Sequence, residues 1–187
     1  MKGKIFNAQE VQALILGKKT QFREVIKKQP KSNINPVKLA NLTRTWQWAT
    51  KESRRECPYQ IGQKIFCKES FALWFEAGIF AADCIGWQRR DMLWKWKPAQ
   101  HMKQEQSRLT LQIKEIRVER LAGISKEDII KEGFKYDDRG YFSDRLGRKH
   151  IPAQNAFEEF WNATHKKPEE KFEASPFCWV IDFEVVK

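Results

Sequence analysis

The residues best suited to chemistry in this 187-residue chain follow Gly17, where Lys18, Lys19, Thr20, Phe22 and Arg23 leave a short helix and enter a strand. A period of two puts Lys19 and Arg23 on one face of that strand, with Thr20 and Phe22 on the other. Two neighbouring cations can meet an anion; the alternative is a solvated basic edge strand, where lysine discourages unwanted pairing. A phosphate-binding loop of the nucleotide-hydrolase kind is excluded, because Gln12 stands where its first glycine belongs and Lys19 where Ser or Thr must follow the lysine. Lys68 and Glu69 interrupt the apolar run KIFCKESFALW. Such charges face solvent or pair with each other, unless the strand is central and one of them lines a pocket. Glu132 falls in the last turn of the helix ISKEDIIKEG, where a carboxylate opposes the helix dipole by ~0.3 to 1 kcal/mol unless it is exposed, paired or functional.

The elements that position these residues follow from local signals. Asn7 caps the first helix, Glu10 completes a capping box, Val11, Leu14 and Ile15 form its apolar face, and Gly17 suits a left-handed exit. Residues 64–74 and 78–85 read as strands. Residues 107–121 read as a long strand whose apolar parity changes at Lys114 and Glu115, which implies a bulge bending the sheet toward barrel closure. Ser125 opens a second helix and Gly133 ends it; a third covers 153–164, and FCWVIDFEVV is the last strand. Residues 134–151 form a polar loop or hairpin. Residues 27–60, with Pro30, Pro36 and Pro58, read as a long basic insertion containing a short helix from Val37 to Trp46, either a clamp that orders on binding or a surface loop.

The chain carries a net charge of +11, divided as +9 over residues 1–60, +4 over 61–120 and −2 over the rest. A pI near 9.6 with charge concentrated in one region favours a polyanionic partner; a basic protein without one is the alternative. No apolar run reaches the ~18 residues of a membrane span and no secretory leader is present, so a cytoplasmic protein of one domain is expected. Cys57, Cys67, Cys84 and Cys178 lack metal-site spacing, and His101, His150 and His165 are isolated, so neither metal nor cofactor is expected. Residues 86–102 interleave tryptophans with cations, as a stacking platform for single-stranded nucleic acid does, although tryptophan pairs also build cores.

Together, the glycine-lysine helix exit, the Lys68-Glu69-Ser70 strand, the segment from Trp96 to His101-Met102, the Ser107-Arg108 strand start, the ISKEDIIKEG helix and the terminal WVIDF strand resemble the ASCH domain, in its phage and prophage type. The resemblance spans about residues 5 to 184. It implies an α+β fold: a PUA-like mixed β-barrel with short helices packed around it. It also implies an association with nucleic acids, chiefly RNA, and with modified bases. Some relatives remove an acyl group from cytidine with a lysine, a threonine and a glutamate. The lysine falls on Lys19 and the glutamate on Glu132, but the threonine position holds Phe22, and the family's arginine position holds Glu24, one residue after Arg23.

The leading expectation is therefore a binding cleft for RNA, single-stranded DNA or a nucleotide. In it Lys19, Arg23 and Arg108 would meet phosphate, Glu132 or Glu69 would bond a base edge, and Phe22, if it faces the cleft, would stack on the base. Lys18, Thr20, Lys68, Trp74, His101 and Ser107 complete the candidate set. An amidohydrolase or ribonuclease using Lys19 and Glu132 as catalytic residues is the alternative, and a phage factor that binds a host protein is the third reading.

Overall fold

In the computed structural model, which describes residues 1–29, 57–74, 77–85, 95–135, 142–143 and 150–186, the chain opens with β1 (Lys2–Ile5) and α1 (Ala8–Ile15). The capping box forms as the sequence predicts: the Glu10 N–H donates to the Asn7 side chain, and the Asn7 N–H donates to the Glu10 carboxylate. Gly17 takes a φ of +66°, a left-handed conformation that glycine adopts without a Cβ penalty, and turns the chain toward β2 (Gln21–Val25). There follow β3 (Lys64–Lys68), β4 (Phe71–Trp74), β5 (Ala77–Phe80) and the long β6 (Thr110–Arg120). Then come α2 (Lys126–Lys131), β7 (Phe142–Ser143), β8 (His150–Ile151), α3 (Ala153–Thr164) and β9 (Phe177–Val185).

Five strands form one mixed sheet in the order β1-β3-β6-β9-β2, with β1 and β3 parallel and the other neighbours antiparallel. The β4–β5 and β7–β8 pairs are separate two-stranded ribbons. Two strand assignments need correction. The run KIFCKESFALW is two strands, interrupted at Glu69 and Ser70, where the Glu69 carboxylate turns to Arg108. In GIFAADCI, β5 ends at Phe80 and residues 81–84 wind into a 3-10 turn. Most of the basic insertion, residues 30–56 with the expected helix from Val37 to Trp46, lies outside the described residues, as do residues 86–94 of the tryptophan-rich stretch.

The register of β6 against β9 shifts between Ile113 and Glu115, which is the expected bulge, and it keeps apolar residues on one side along the whole strand. Leu111 and Ile113 before it, and Ile116 and Val118 after it, face a core shared with Val11, Leu14, Phe22, Ile65, Cys67, Trp179, Ile181 and Phe183. The opposite face of β9 contributes Cys178 to a second core under α2 and α3, with Ile129, Phe157 and Trp161. The fold is α+β, but the sheet is not the closed barrel expected. Its two edges, β1 and β2, exchange no strand pairing. Side chains bridge that side of the sheet: Lys4 Nζ lies 3.0 Å from Glu24 Oε2, and the Phe6 ring, just past β1, packs edge to face with Phe22 at 5.9 Å. A four-residue β1 committed to β3 leaves little strand with which to close the circle.

The end of α2 is fixed against the start of β2. Lys19 and Glu132 form an isolated antiparallel bridge, and the Thr20 N–H donates to the Lys131 carbonyl. Gly133 follows with a φ of +95°, and a Cβ there would stand 3.0 Å from the Ala13 Cβ and 3.1 Å from the Lys19 Cβ. Gly133→Ala is therefore expected to cost roughly 1 kcal/mol or more in urea unfolding, whereas Gly123→Ala, which meets nothing within 4 Å, is expected to be neutral or mildly stabilising. Equal midpoints for the two variants would contradict this packing.

Candidate functional site

Strand parity places Gln21 and Arg23 on the face of β2 away from the Phe22 core, and on that face the structure builds a charged layer. Lys19 Nζ donates to the Glu132 carboxylate at 2.8 Å and to the Glu132 carbonyl at 2.9 Å, and it sits 3.5 Å from Glu10. The lysine thus neutralises the carboxylate at the end of α2 and caps a carbonyl there, which removes the dipole penalty expected of Glu132. Arg23 donates to Glu132 at 2.9 Å, to Asp128 at 2.9 Å and to Glu119 at 3.2 Å. Arg117 reaches both Asp128 oxygens at 3.0 and 2.8 Å, as well as Glu119 and Asp182. The Gln21 amide ties Asp128 to Asp182.

These partners come from five elements: α1, β2, β6, α2 and β9. Arg117, Glu119 and Asp182 are on the outward parity of β6 and β9, where they face the carboxylates of α2. Three cations, Lys19, Arg23 and Arg117, meet five carboxylates, Glu10, Glu119, Asp128, Glu132 and Asp182. The side chains of Lys19 and Arg23 are each 1 % exposed and that of Glu132 is 4 %. Arg23 Nε is buried without a hydrogen-bond partner among the described residues. Burial works to lower the Lys19 pKa, but the charges of Glu132 and Glu10 outweigh it and hold the ammonium above the ordinary 10.5. Lys19 is therefore a proton-holding cation, the wrong form for a general base. Burial likewise works to raise the Asp128 pKa, but the Gln21 hydrogen bond and the charges of Arg117 and Arg23 hold it below 3.8.

Lys19, Arg23 and Glu132 thus converge as the sequence suggested, but Phe22 does not join them. It is 3 % exposed and packs in the opposite core, with Tyr59 at 5.4 Å, Phe183 at 5.8 Å and Phe6 at 5.9 Å between ring centroids. The expectation that Phe22 stacks on a ligand in the cleft is corrected by this packing. Thr20 is exposed; its carbonyl accepts from Phe183 N–H. Lys18 is exposed beside it.

A second cluster gathers Glu69, Arg108 and Asp83. Arg108 donates to both Glu69 oxygens at 2.9 and 3.2 Å and to both Asp83 oxygens at 2.9 Å, with its guanidinium 4.2 Å from the Phe80 centroid. Burial raises the Glu69 pKa above 4.5 despite Arg108. The Ser107 hydroxyl donates to the Cys67 carbonyl, and Lys68 donates to the Gln100 carbonyl. His101 is exposed next to Gln100, and Trp74 occupies the last position of β4. Asp128, Arg117, Glu119, Asp182 and Gln21 were absent from the sequence-derived set. The signals that could have found them are the outward parity of Arg117 and Glu119 beyond the bulge and the lone charge of Asp182 in an apolar strand. Among the described residues no group of three or more His, Cys, Asp or Glu could hold a metal ion, and no helix is long and apolar enough to cross a membrane.

No family model matches this chain, and no curated protein matches it. A solved structure, protein EF3133 from Enterococcus faecalis V583, described with the family DUF984, aligns over 100 % of this chain and 81 % of its own, with 10 % identity and a TM-score of 0.46. That likeness is too slight to assign a fold or an activity.

Two outcomes follow from this geometry. Lys19 contributes stability that is full below pH 10.5 and lost as pH rises through its raised native value; Asp128 contributes stability that is full above pH 3.8 and lost as pH falls through its lowered one. Urea unfolding across pH should give a neutral plateau falling at both ends, with Glu69 offsetting part of the acid loss because its raised native pKa has the opposite sign. Asp128→Ala, which removes the carboxylate shared by Arg23, Arg117 and the Gln21 amide but leaves each arginine another carboxylate partner, should lower the plateau by about 1.5 to 3 kcal/mol; a change below about 0.5 kcal/mol would contradict the network. Phe22→Thr, which supplies a hydroxyl at the position of the family's threonine, should cost about 3 kcal/mol or more and create no hydrolysis of acylated cytidine, because the side chain faces the core. Turnover by a stable Phe22→Thr protein would contradict that orientation.

Proposed function

We propose that the protein binds a nucleic acid or nucleotide through cations on its surface, and that the Lys19–Glu132–Arg23 cluster organises the fold beneath that surface rather than gripping phosphate. One observation carries this reading: the partition of charge. The buried layer holds three cations against five carboxylates, so the +11 excess of the chain resides elsewhere. A phosphate approaching Lys19 or Arg23 would compete with carboxylates already in contact and would lose its water doing so. Arg108, with both ends of its guanidinium occupied by Glu69 and Asp83, is in the same position. Exposed lysines have neither handicap, and the counterions released from a polyanion drive their association. The ASCH resemblance supports a nucleic-acid ligand, RNA foremost.

Covalent amidohydrolysis has less support. The Lys19–Glu132 contact at 2.8 Å favours it, but Lys19 holds its proton and Phe22 offers no hydroxyl.

Fluorescence anisotropy against single-stranded RNA, single-stranded DNA and duplexes, at two salt concentrations, tests the proposal. Binding should weaken with salt at a log–log slope of about −0.7 per phosphate on single strands. Absence of binding at low salt, or binding indifferent to salt, would overturn it. In parallel, acylated cytidine incubated with the protein should give no product; turnover abolished by Glu132→Gln would establish the hydrolytic reading instead.

A further inference from the structure

At the edge of the sheet opposite β2, residues 95–106 cross the β1–β3 end as a strap of two short 3-10 turns. Four ties hold it. Lys97 and Phe71 exchange two backbone hydrogen bonds at 2.7 and 3.1 Å. The Gln100 carbonyl accepts from Lys68 Nζ at 2.8 Å, and the Gln104 side chain accepts from the Met1 ammonium at 2.8 Å. Just past its end, the Ser107 hydroxyl donates to the Cys67 carbonyl at 2.7 Å. The strap has two sides: Ala99 and Met102 are buried, whereas Lys95, Lys97, His101 and Lys103 are exposed.

Lys64 and Lys68 extend the basic side along β3, on the parity opposite the core residues Ile65 and Cys67. A Cβ on Gly3 would stand 2.6 Å from Lys68 Cδ, so the absence of a side chain on β1 lets the lysine stem lie against its backbone. Its ammonium is thereby held in place by Gln100 rather than free to wander, which lowers the entropy cost of an added contact. Among the described residues no carboxylate pairs with Lys64, Lys68, Lys97 or Lys103, and Glu105 is the one acidic residue of the strap. This is the reverse of the layer on β2, where every cation is met by carboxylates. Lys64 and Lys68 are separated by about 13 Å along the strand, the rise of roughly four nucleotides in a helical strand, so the two lysines would address phosphates several nucleotides apart on an extended strand rather than a single phosphate.

We infer that the strap and β3, through Lys64, Lys68, Lys97 and Lys103, form the surface on which a nucleic-acid strand lies by its phosphate backbone. The inference rests on the proposed function and adds where the ligand sits. A surface of this kind fixes no base sequence, because phosphate contacts position a strand without reading it.

The test compares two triple variants of the full chain with equal charge change. Lys64→Glu/Lys97→Glu/Lys103→Glu alters the strap face and leaves Lys68 as its anchor. Lys135→Glu/Lys166→Glu/Lys167→Glu alters exposed lysines on the α2 and α3 side. Circular dichroism checks folding, and Lys97→Gln/Lys103→Gln stands in if the strap triple variant misfolds. With labelled single-stranded RNA and DNA of one sequence, the strap variant should lose at least about tenfold in affinity and show a shallower salt slope, and the double variant a part of that, while the other triple variant stays within about threefold of wild type. Equal losses in both triple variants, or loss only in the second, would overturn the inference while leaving the proposed function standing. Failure of the wild type to bind either nucleic acid would overturn the function itself. Strap-dependent binding to phosphatidylserine vesicles without nucleic-acid binding would overturn both.

Discussion

The structure hangs on a layer of ion pairs laid between one face of β2, β6 and β9 and the short helix α2. A six-residue helix has little intrinsic stability, and α2 is held where it is because Asp128 and Glu132 reach back to Arg23, Arg117 and Lys19. The same contacts fix the register of β2 at the sheet edge. A slip of one residue would carry Lys19 and Arg23 into the phenylalanine core and turn Phe22 into the buried ion-pair layer, so the charged face and the apolar face of β2 enforce each other. Glu10 couples α1 to the layer, since its carboxylate both completes the capping box and approaches Lys19. Removing Lys19, Arg23 or Arg117 leaves buried carboxylates less compensated, which costs far more than the intact pair contributes.

That layer also decides what the residues near Gly17 can do. A pair of cations that looks in sequence like an anion site is, in three dimensions, already saturated, with a surplus of carboxylates around it. Positive charge able to attract a polyanion must then lie on the surface. The anchored strap across β1 and β3 is a place where exposed lysines gather without carboxylate partners among the described residues.

Much of this was legible in the sequence where chemistry is local. The Asn7–Glu10 box, the left-handed Gly17, the helix end at Gly133, the bulge before Glu115 and the limits of α3 all follow from residues within a few positions of one another. The alternation along β2 correctly separated Lys19 and Arg23 from Phe22. What the sequence hid is long-range. Gln21 meets Asp128 and Asp182 across 107 and 161 residues of chain, and no local pattern announces such meetings. The break at Glu69 was hidden for the same reason, because the partner its carboxylate meets there is Arg108, 39 residues away. Barrel closure was over-read from the bulge, since bending a sheet does not supply the backbone pairing that β1 and β2 lack.

The central claim is that Lys19 holds the fold and does not touch the ligand. Measuring the nucleic-acid affinity and salt slope of Lys19→Met, at a temperature where the variant is shown to be folded, addresses it directly. The account predicts a clear drop in unfolding midpoint together with an affinity and slope unchanged within error. A folded Lys19→Met protein that no longer binds would contradict it.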